Sequence, residues 1–220
     1  MSTTLNPPST KRRSRTAVKP SIAKKSPSAK QQEIQAIYDT YSPKNLRRDN
    51  IDWVNSIFLV AVHVGALAAP FFFSWYGLVA FCVLHWLTGS IGICLGYHRY
   101  LSHRSMKLRK PAEFLALAAG TISGEGTPLM WSATHRLHHN RADLPGDPHS
   151  PLDGSFWSHM LWLFVRHGKS HKQSLYNRYV PELLNRPMMQ FFEKTQGLWL
   201  LGTGATLIGI GYALADRVRQ

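Results

Sequence analysis

Two uncharged apolar runs stand back to back in this chain, and their length limits the folds open to it. Trp53 to Phe73 reads WVNSIFLVAVHVGALAAPFFF, and Leu78 to Gly96 follows after only Ser74-Trp75-Tyr76-Gly77. A helix needs about 20 apolar residues to cross a hydrocarbon core, and each run comes close to that. Pro70 and the aromatic connector mark a tight interfacial turn, so the two runs make a helical hairpin. A third run, Gly197 to Ala215, is rich in Gly and Thr and suits close packing between helices. The expected fold is all-α: integral membrane helical hairpins with spans at 53–73, 78–96 and 197–215, carrying a cytoplasmic helical cap.

Formal net charge is +14, which suits either nucleic acid or an anionic membrane surface. Nucleic-acid binders spread reading and stacking elements along a basic face. Here Lys and Arg flank the apolar runs, so the expected partner is the lipid bilayer and no nucleic acid. Residues 1–50 form a basic tail whose first part has no acidic residue and almost no large apolar one. Such a segment buries too little surface to offset its ordering entropy, so the tail is expected to be disordered. Its composition also resembles a plastid targeting peptide. Lys and Arg lie before the first span and after the second, as the positive-inside rule asks of an even number of crossings. The chain then reads as a multi-pass membrane protein with its N-terminus and the region after residue 96 in the cytoplasm. Residues 51–215 are the membrane domain, and 216–220 a truncated end. Pro111–Gly120 and Phe156–Val165 are too short to span and are expected at the interface. Cys82 and Cys94 lie in an apolar run without CxxC spacing, so they read as buried thiols.

Two histidine groups follow the hairpin: His98-Arg-Tyr-Leu-Ser-His103 and His135-Arg-Leu-His138-His139. Neutral imidazole is the usual nitrogen ligand for iron, zinc and copper. Positions i, i+3 and i+4 share a helix face, so His135, His138 and His139 should project toward one point. His98 and His103 stand about 7.5 Å apart along an α-helix axis. That is too far and too rotated for one ion, so each would serve a different metal of a two-metal centre. Structural zinc sites are closed and sulfur-rich, and no thiolate is at hand. The set favours iron, and HxxxxH followed by HxxHH points to an iron-dependent membrane oxygenase. His63 and His85 lie within spans and should pack neutral and hydrogen-bonded. His167 and His171 fall in a basic surface segment and should be solvated.

Four stretches in order resemble the membrane fatty-acid desaturase family, in its delta-9 branch of bacterial and cyanobacterial type. They are Gly96-Tyr-His98-Arg-Tyr-Leu-Ser-His103-Arg, Trp131-Ser-Ala-Thr-His135-Arg-Leu-His138-His139, Asp147-Pro-His149-Ser and Gly154-Ser-Phe-Trp-Ser-His159-Met-Leu-Trp162. The resemblance covers roughly residues 50 to 215. It implies two Fe ions that use O2 and two electrons to introduce a cis double bond into a saturated acyl chain. It implies that His98, His103, His135, His138 and His139 are metal ligands. Asp147, His149 and His159 would support those ligands from behind, fixing tautomers and orientation. Trp131 and Glu125 would line the acyl tunnel. Many relatives carry Gln at the Glu125 position, and a buried carboxylate there is costly unless protonated or paired.

Animal acyl-CoA relatives carry a basic residue where Ala133 stands, so acyl-lipid, acyl-CoA and acyl-carrier protein substrates all stay open. The chain has no haem or flavin fingerprint, so electrons would come from a ferredoxin or cytochrome b5 type donor. The excess of Lys and Arg between residues 97 and 196 suits an acidic donor. The family's third histidine box, a further HxxHH preceded by N-x-x-x-H, does not occur in this sequence. A fragment or frameshifted product is therefore expected. A histidine-box alkyl or sterol hydroxylase and an inactive lipid-binding relative are the alternatives.

Overall fold

The computed structural model describes residues 27–219, with side chains through Leu214. Residues 1–26 of the basic tail lie outside the described residues. The remainder of that tail differs from the expectation of disorder, because Ala29–Thr40 forms a helix, α1. Ser28 caps it with a capping box: its hydroxyl accepts from Gln31 N, and the Gln31 side chain accepts from Ser28 N. Ile37 and Tyr41 stand one turn apart and are each 2% exposed. They form a narrow apolar stripe that the tail's average composition conceals.

The hairpin begins with α2, Trp53–Ala68, whose start is capped by Asp52 accepting from Asn55 N at 3.1 Å. After the turn through Pro70, the Ser74 hydroxyl accepts from Gly77 N at 3.0 Å and opens α3, Trp75–Ser102. Trp53–Phe72, Trp75–Ser102 and Pro187–Leu214 are each long and apolar enough to cross a membrane. Val54, Phe71, Phe72 and Trp75 are 72–86% exposed, an apolar surface without protein cover that lipid would solvate. Cys82 and Cys94 are free and also exposed on this surface, not buried as expected. His63 Nδ1 lies 2.7 Å from Leu59 O, and His85 stacks on Phe81 with ring centroids 5.8 Å apart.

From Trp86 to Ser102, α3 winds wider than an α-helix, with i→i+5 hydrogen bonds. The pattern ends with His103 N donating to His98 O at 2.9 Å. This stretch packs against α4, Lys110–Thr121. A Cβ on Gly92 would sit 2.4 Å from Gly120 N and 2.5 Å from the Ala119 carbonyl carbon, so only glycine admits so close a backbone approach. Ala116, Leu117, Ala119 and Gly120 are buried against α3, while Leu115 faces outward. Buried Glu113 ties this helix onward through Arg186, which also donates to Tyr100 Oη at 3.0 Å.

The cap comprises α5, Pro128–Arg141, α6, Ser155–His159, α7, Lys169–Tyr179, and α8, Pro181–Leu184. The last helix, α9, spans Pro187–Arg219. It starts well before Gly197 because Met189 and Phe192 are fully buried, one packing stripe beneath polar Gln190, Glu193 and Lys194. Leu101, Leu117, Leu129, Leu137, Leu175 and Phe192 make one core from α3, α4, α5, α7 and α9. Phe156–Val165 is not one interfacial helix: α6 stops at His159, a tight turn covers Leu161–Phe164, and Val165 bridges Ile51.

His167 and His171 are not solvated. They stack at 5.1 Å on each other and pack against buried Tyr41 of the α1 terminus, with His171 Nδ1 3.1 Å from Thr40 Oγ1. Burial first, then the Lys172 ammonium and, for His167, its neighbour His171, push His167 down to about 3 and His171 to about 4.

Two outcomes follow. Gly92→Val forces a side chain into the backbone of α4, and overpacking of this kind costs about 2 kcal/mol or more. Thermal unfolding in detergent should show a lower midpoint than wild type. The two histidines take up protons more readily when unfolded, near the ordinary 6.5, than when folded. Stability is therefore full above pH 6.5 and declines as pH falls toward 4. His167→Asn/His171→Asn should flatten that decline in denaturation midpoints measured between pH 7 and 5.

Candidate metal centre

The wide winding of α3 decides the position of the first histidine pair. Residues five apart complete close to one turn of an i→i+5 helix, so His98 and His103 face the same way. Their Nε2 atoms lie 3.0 Å apart. The expectation that the two rings are too far apart and too rotated to meet assumed α-helical geometry, and this winding brings them together. α5 supplies the other side: His135 Nε2 lies 3.2 Å from His103 Nε2 and 3.0 Å from His139 Nε2. His98, His103, His135 and His139 thus form one group whose ligand atoms all fall within 4.8 Å of each other. His98 and His135 are half-buried, while His103 and His139 are exposed, so the group opens on one side.

This spacing fits a shared cation. Two nitrogens bound to one ion at about 2.1 Å, at angles between 90° and tetrahedral, lie about 3 Å apart. A neutral imidazole has one N–H and one lone pair, so His135 Nε2 cannot satisfy both of its close neighbours by hydrogen bonding. Burial, then the neighbouring imidazoles His139, His98, His103 and His138, push His135 down to about 3. Burial, followed by His103 and His138, also lowers His139. Both are held in the neutral form that metal binding requires.

His138 does not join this group, contrary to the expectation that all three α5 histidines meet at one point. Its ring centroid is 6.4 Å from that of His135. Its Nδ1 donates to Asp147 Oδ1 at 2.8 Å, in a second group with His149. Asp147 is fully buried and also accepts from the backbone N–H groups of Asp143 and His149. Burial works to raise its pKa, but those three donors outweigh it and hold the carboxyl below its ordinary value. With Nδ1 occupied, His138 keeps Nε2 available. The His149 ring lies 4.2 Å from that of His138 and 5.3 Å from Trp162, and burial lowers its pKa.

The loop carrying Asp147 turns at Gly146, φ +93°, where a Cβ would lie 2.5 Å from Tyr38 Cβ of α1. Trp131 stacks on His135 at 4.7 Å and meets His98 edge-on at 6.3 Å. Its indole N–H donates to Glu125 Oε2 at 3.1 Å. Glu125 is exposed, so the feared cost of a buried carboxylate does not arise.

Over 162 residues the chain is 37% identical to an sn-2 palmitoyl-lipid 9-desaturase of Nostoc sp. (strain 36), covering 73% of this chain and 57% of that protein. It is 36% identical to an sn-1 stearoyl-lipid 9-desaturase of Anabaena variabilis, covering 74% of this chain and 60% of that protein. It is 37% identical to Delta-9 acyl-lipid desaturase 2 of Arabidopsis thaliana, covering 73% and 52%. The chain belongs to the fatty-acid desaturase family. It spans about 60% or less of the length of these relatives. No family model matches it.

Within this desaturase fold, His159 is exposed at the end of five-residue α6 and belongs to neither histidine group. The helix is too short to turn both Trp157 and His159 inward, and Trp157 takes the buried position. Ala133 is fully buried and faces the core of the cap. A role that sequence reading missed belongs to Arg136, inside the second box, which bonds four oxygens on three different elements. The signal was a charged residue flanked by core positions, Ala133 and Leu137.

His135→Ala removes the ring that stands between His103 and His139. Affinity for Co2+, followed by its visible absorption, should fall at least about 100-fold. Far-UV circular dichroism should stay as in wild type, since little core packing is lost.

Proposed function

We propose that this chain carries the iron-binding part of an O2-dependent fatty-acyl desaturase that introduces a cis double bond, at the delta-9 position, into a membrane acyl lipid. The convergence of four imidazoles at the end of a membrane-spanning helix carries the reading. A thiolate-free set of nitrogen donors suits iron. His98, His103, His135 and His139 would hold one Fe ion, and His138 through its Nε2 would serve a second. When bound, iron supplies the oxygen activation that removes hydrogen from an unactivated methylene.

The protein's own groups cannot do that chemistry, because a saturated methylene has no acidic proton for a side chain to take. Their work is placement and exclusion of water. Trp131, fixed by its stack on His135 and its bond to Glu125, forms an apolar wall beside the histidines on the side of Tyr97. Asp147 keeps the proton on His138 Nδ1 and so fixes its tautomer. The two hydrogens lost by the acyl chain, with two electrons and two protons from the donor side, would reduce O2 to two waters.

The names of the relatives in Nostoc, Anabaena and Arabidopsis favour an acyl-lipid substrate over acyl-CoA or acyl-carrier protein. Exposed Arg99, Lys107 and Arg109 beside the first box favour an acidic ferredoxin or cytochrome b5 type donor. The same basic segment favours a cytoplasmic placing of the histidine groups, with the N-terminus on that side.

The test is expression with iron and a ferredoxin system in a host lacking acyl-lipid desaturation, followed by mass spectrometry of the fatty acids. A delta-9 monounsaturated product supports the reading, and Trp131→Ala should then broaden double-bond position across neighbouring carbons. An alcohol product would reassign the site to hydroxylation. No modified fatty acid from an iron-loaded sample would remove desaturation from this chain.

A further inference from the structure

Arg136 follows His135 on α5, and its guanidinium reaches back to the end of α3. Nε donates to Ser102 O at 3.0 Å and one terminal nitrogen to Leu101 O at 2.6 Å. These are among the last carbonyls of α3, which have no partner further along the helix and carry the negative end of its dipole. The other terminal nitrogen donates to Tyr179 O at 2.7 Å and Glu182 Oε1 at 2.8 Å, at the junction of α7 and α8. The side chain is 16% exposed.

The two residues tied by this clamp are the chain neighbours of two histidines in the group. Ser102 precedes His103, Arg136 follows His135, and the two rings meet at 3.2 Å. We propose that Arg136 is a positioning residue that sets the register between the two histidine boxes, holding the α3 terminus to α5 at the spacing a shared metal needs. The inference rests on the reading of the four imidazoles as a metal site. Lysine could not replace it: an ammonium is a point charge that lacks the planar fork needed to bond Leu101 O and Ser102 O while reaching Tyr179 O. A purely structural role in the cap predicts a loss of stability at unchanged metal geometry. A positioning role changes the metal site itself in protein that remains folded.

The experiment is Co2+ titration of the full chain in detergent, with visible absorption reporting affinity and coordination geometry, and circular dichroism with thermal unfolding reporting the fold. Wild type should bind saturably. Arg136→Gln should lose about tenfold in Co2+ affinity and shift the absorption band at saturation. Arg136→Lys should fall between the two and carries the test if the Gln variant does not fold. Arg104→Gln loses an ion pair to the same Glu182 but no carbonyl contact, and should match wild type. Wild-type affinity and spectrum in either folded Arg136 variant would overturn the inference alone. A wild-type chain that takes up no Co2+ would overturn the metal reading, and the inference with it.

Discussion

The i→i+5 winding of α3 between Trp86 and Ser102 is what the rest of the site depends on. It turns a pair of histidines that an α-helix would splay apart into a pair aimed at one point. Such winding is uncommon over more than a turn, and here it is held from two sides. The backbone contact of Gly92 with Gly120 presses α4 against its middle. Arg136 takes the carbonyls at its end. A helix supported at both places can present His98 and His103 to α5 without spending freedom on the approach.

The same logic extends outward through two buried carboxylates, each with several partners. Asp147 accepts three hydrogen bonds while fully buried, and the loop that places it is shaped by Gly146 against Tyr38. Glu113 is equally buried and meets Arg186 and Lys110. A buried carboxylate without such partners would be neutral or absent. Each of these groups joins segments distant in sequence, so the cap behaves as one framework around the histidines.

The apolar helices and the clustering of the histidines were legible because their signals are local: unbroken apolar runs and short histidine spacings. Geometry within the site was less legible. His98 and His103 were read on an α-helical template, and nothing in the pattern Gly96-Tyr-His98 announces a wider winding. His138 was grouped with His135 and His139 by periodicity, but the position of Asp147, nine residues on in a loop, decides where its ring points. His159 read as a supporting residue because its motif matched, while the brevity of α6 turns it outward. α1 was hidden because two buried residues, Ile37 and Tyr41, do not change the average of a long basic segment. His167 and His171 looked solvated for the same reason, since their burial comes from α1.

The docking of α1 makes the end of the basic tail a structural part of the cap. Tyr38 forms one wall of the loop that holds Asp147, and Tyr41 closes over His167 and His171. A cut within 29–41 would strip a wall from the loop that holds Asp147. Residues 29–41 are therefore part of the folded cap, and the histidine groups rest in part on a helix outside the membrane domain.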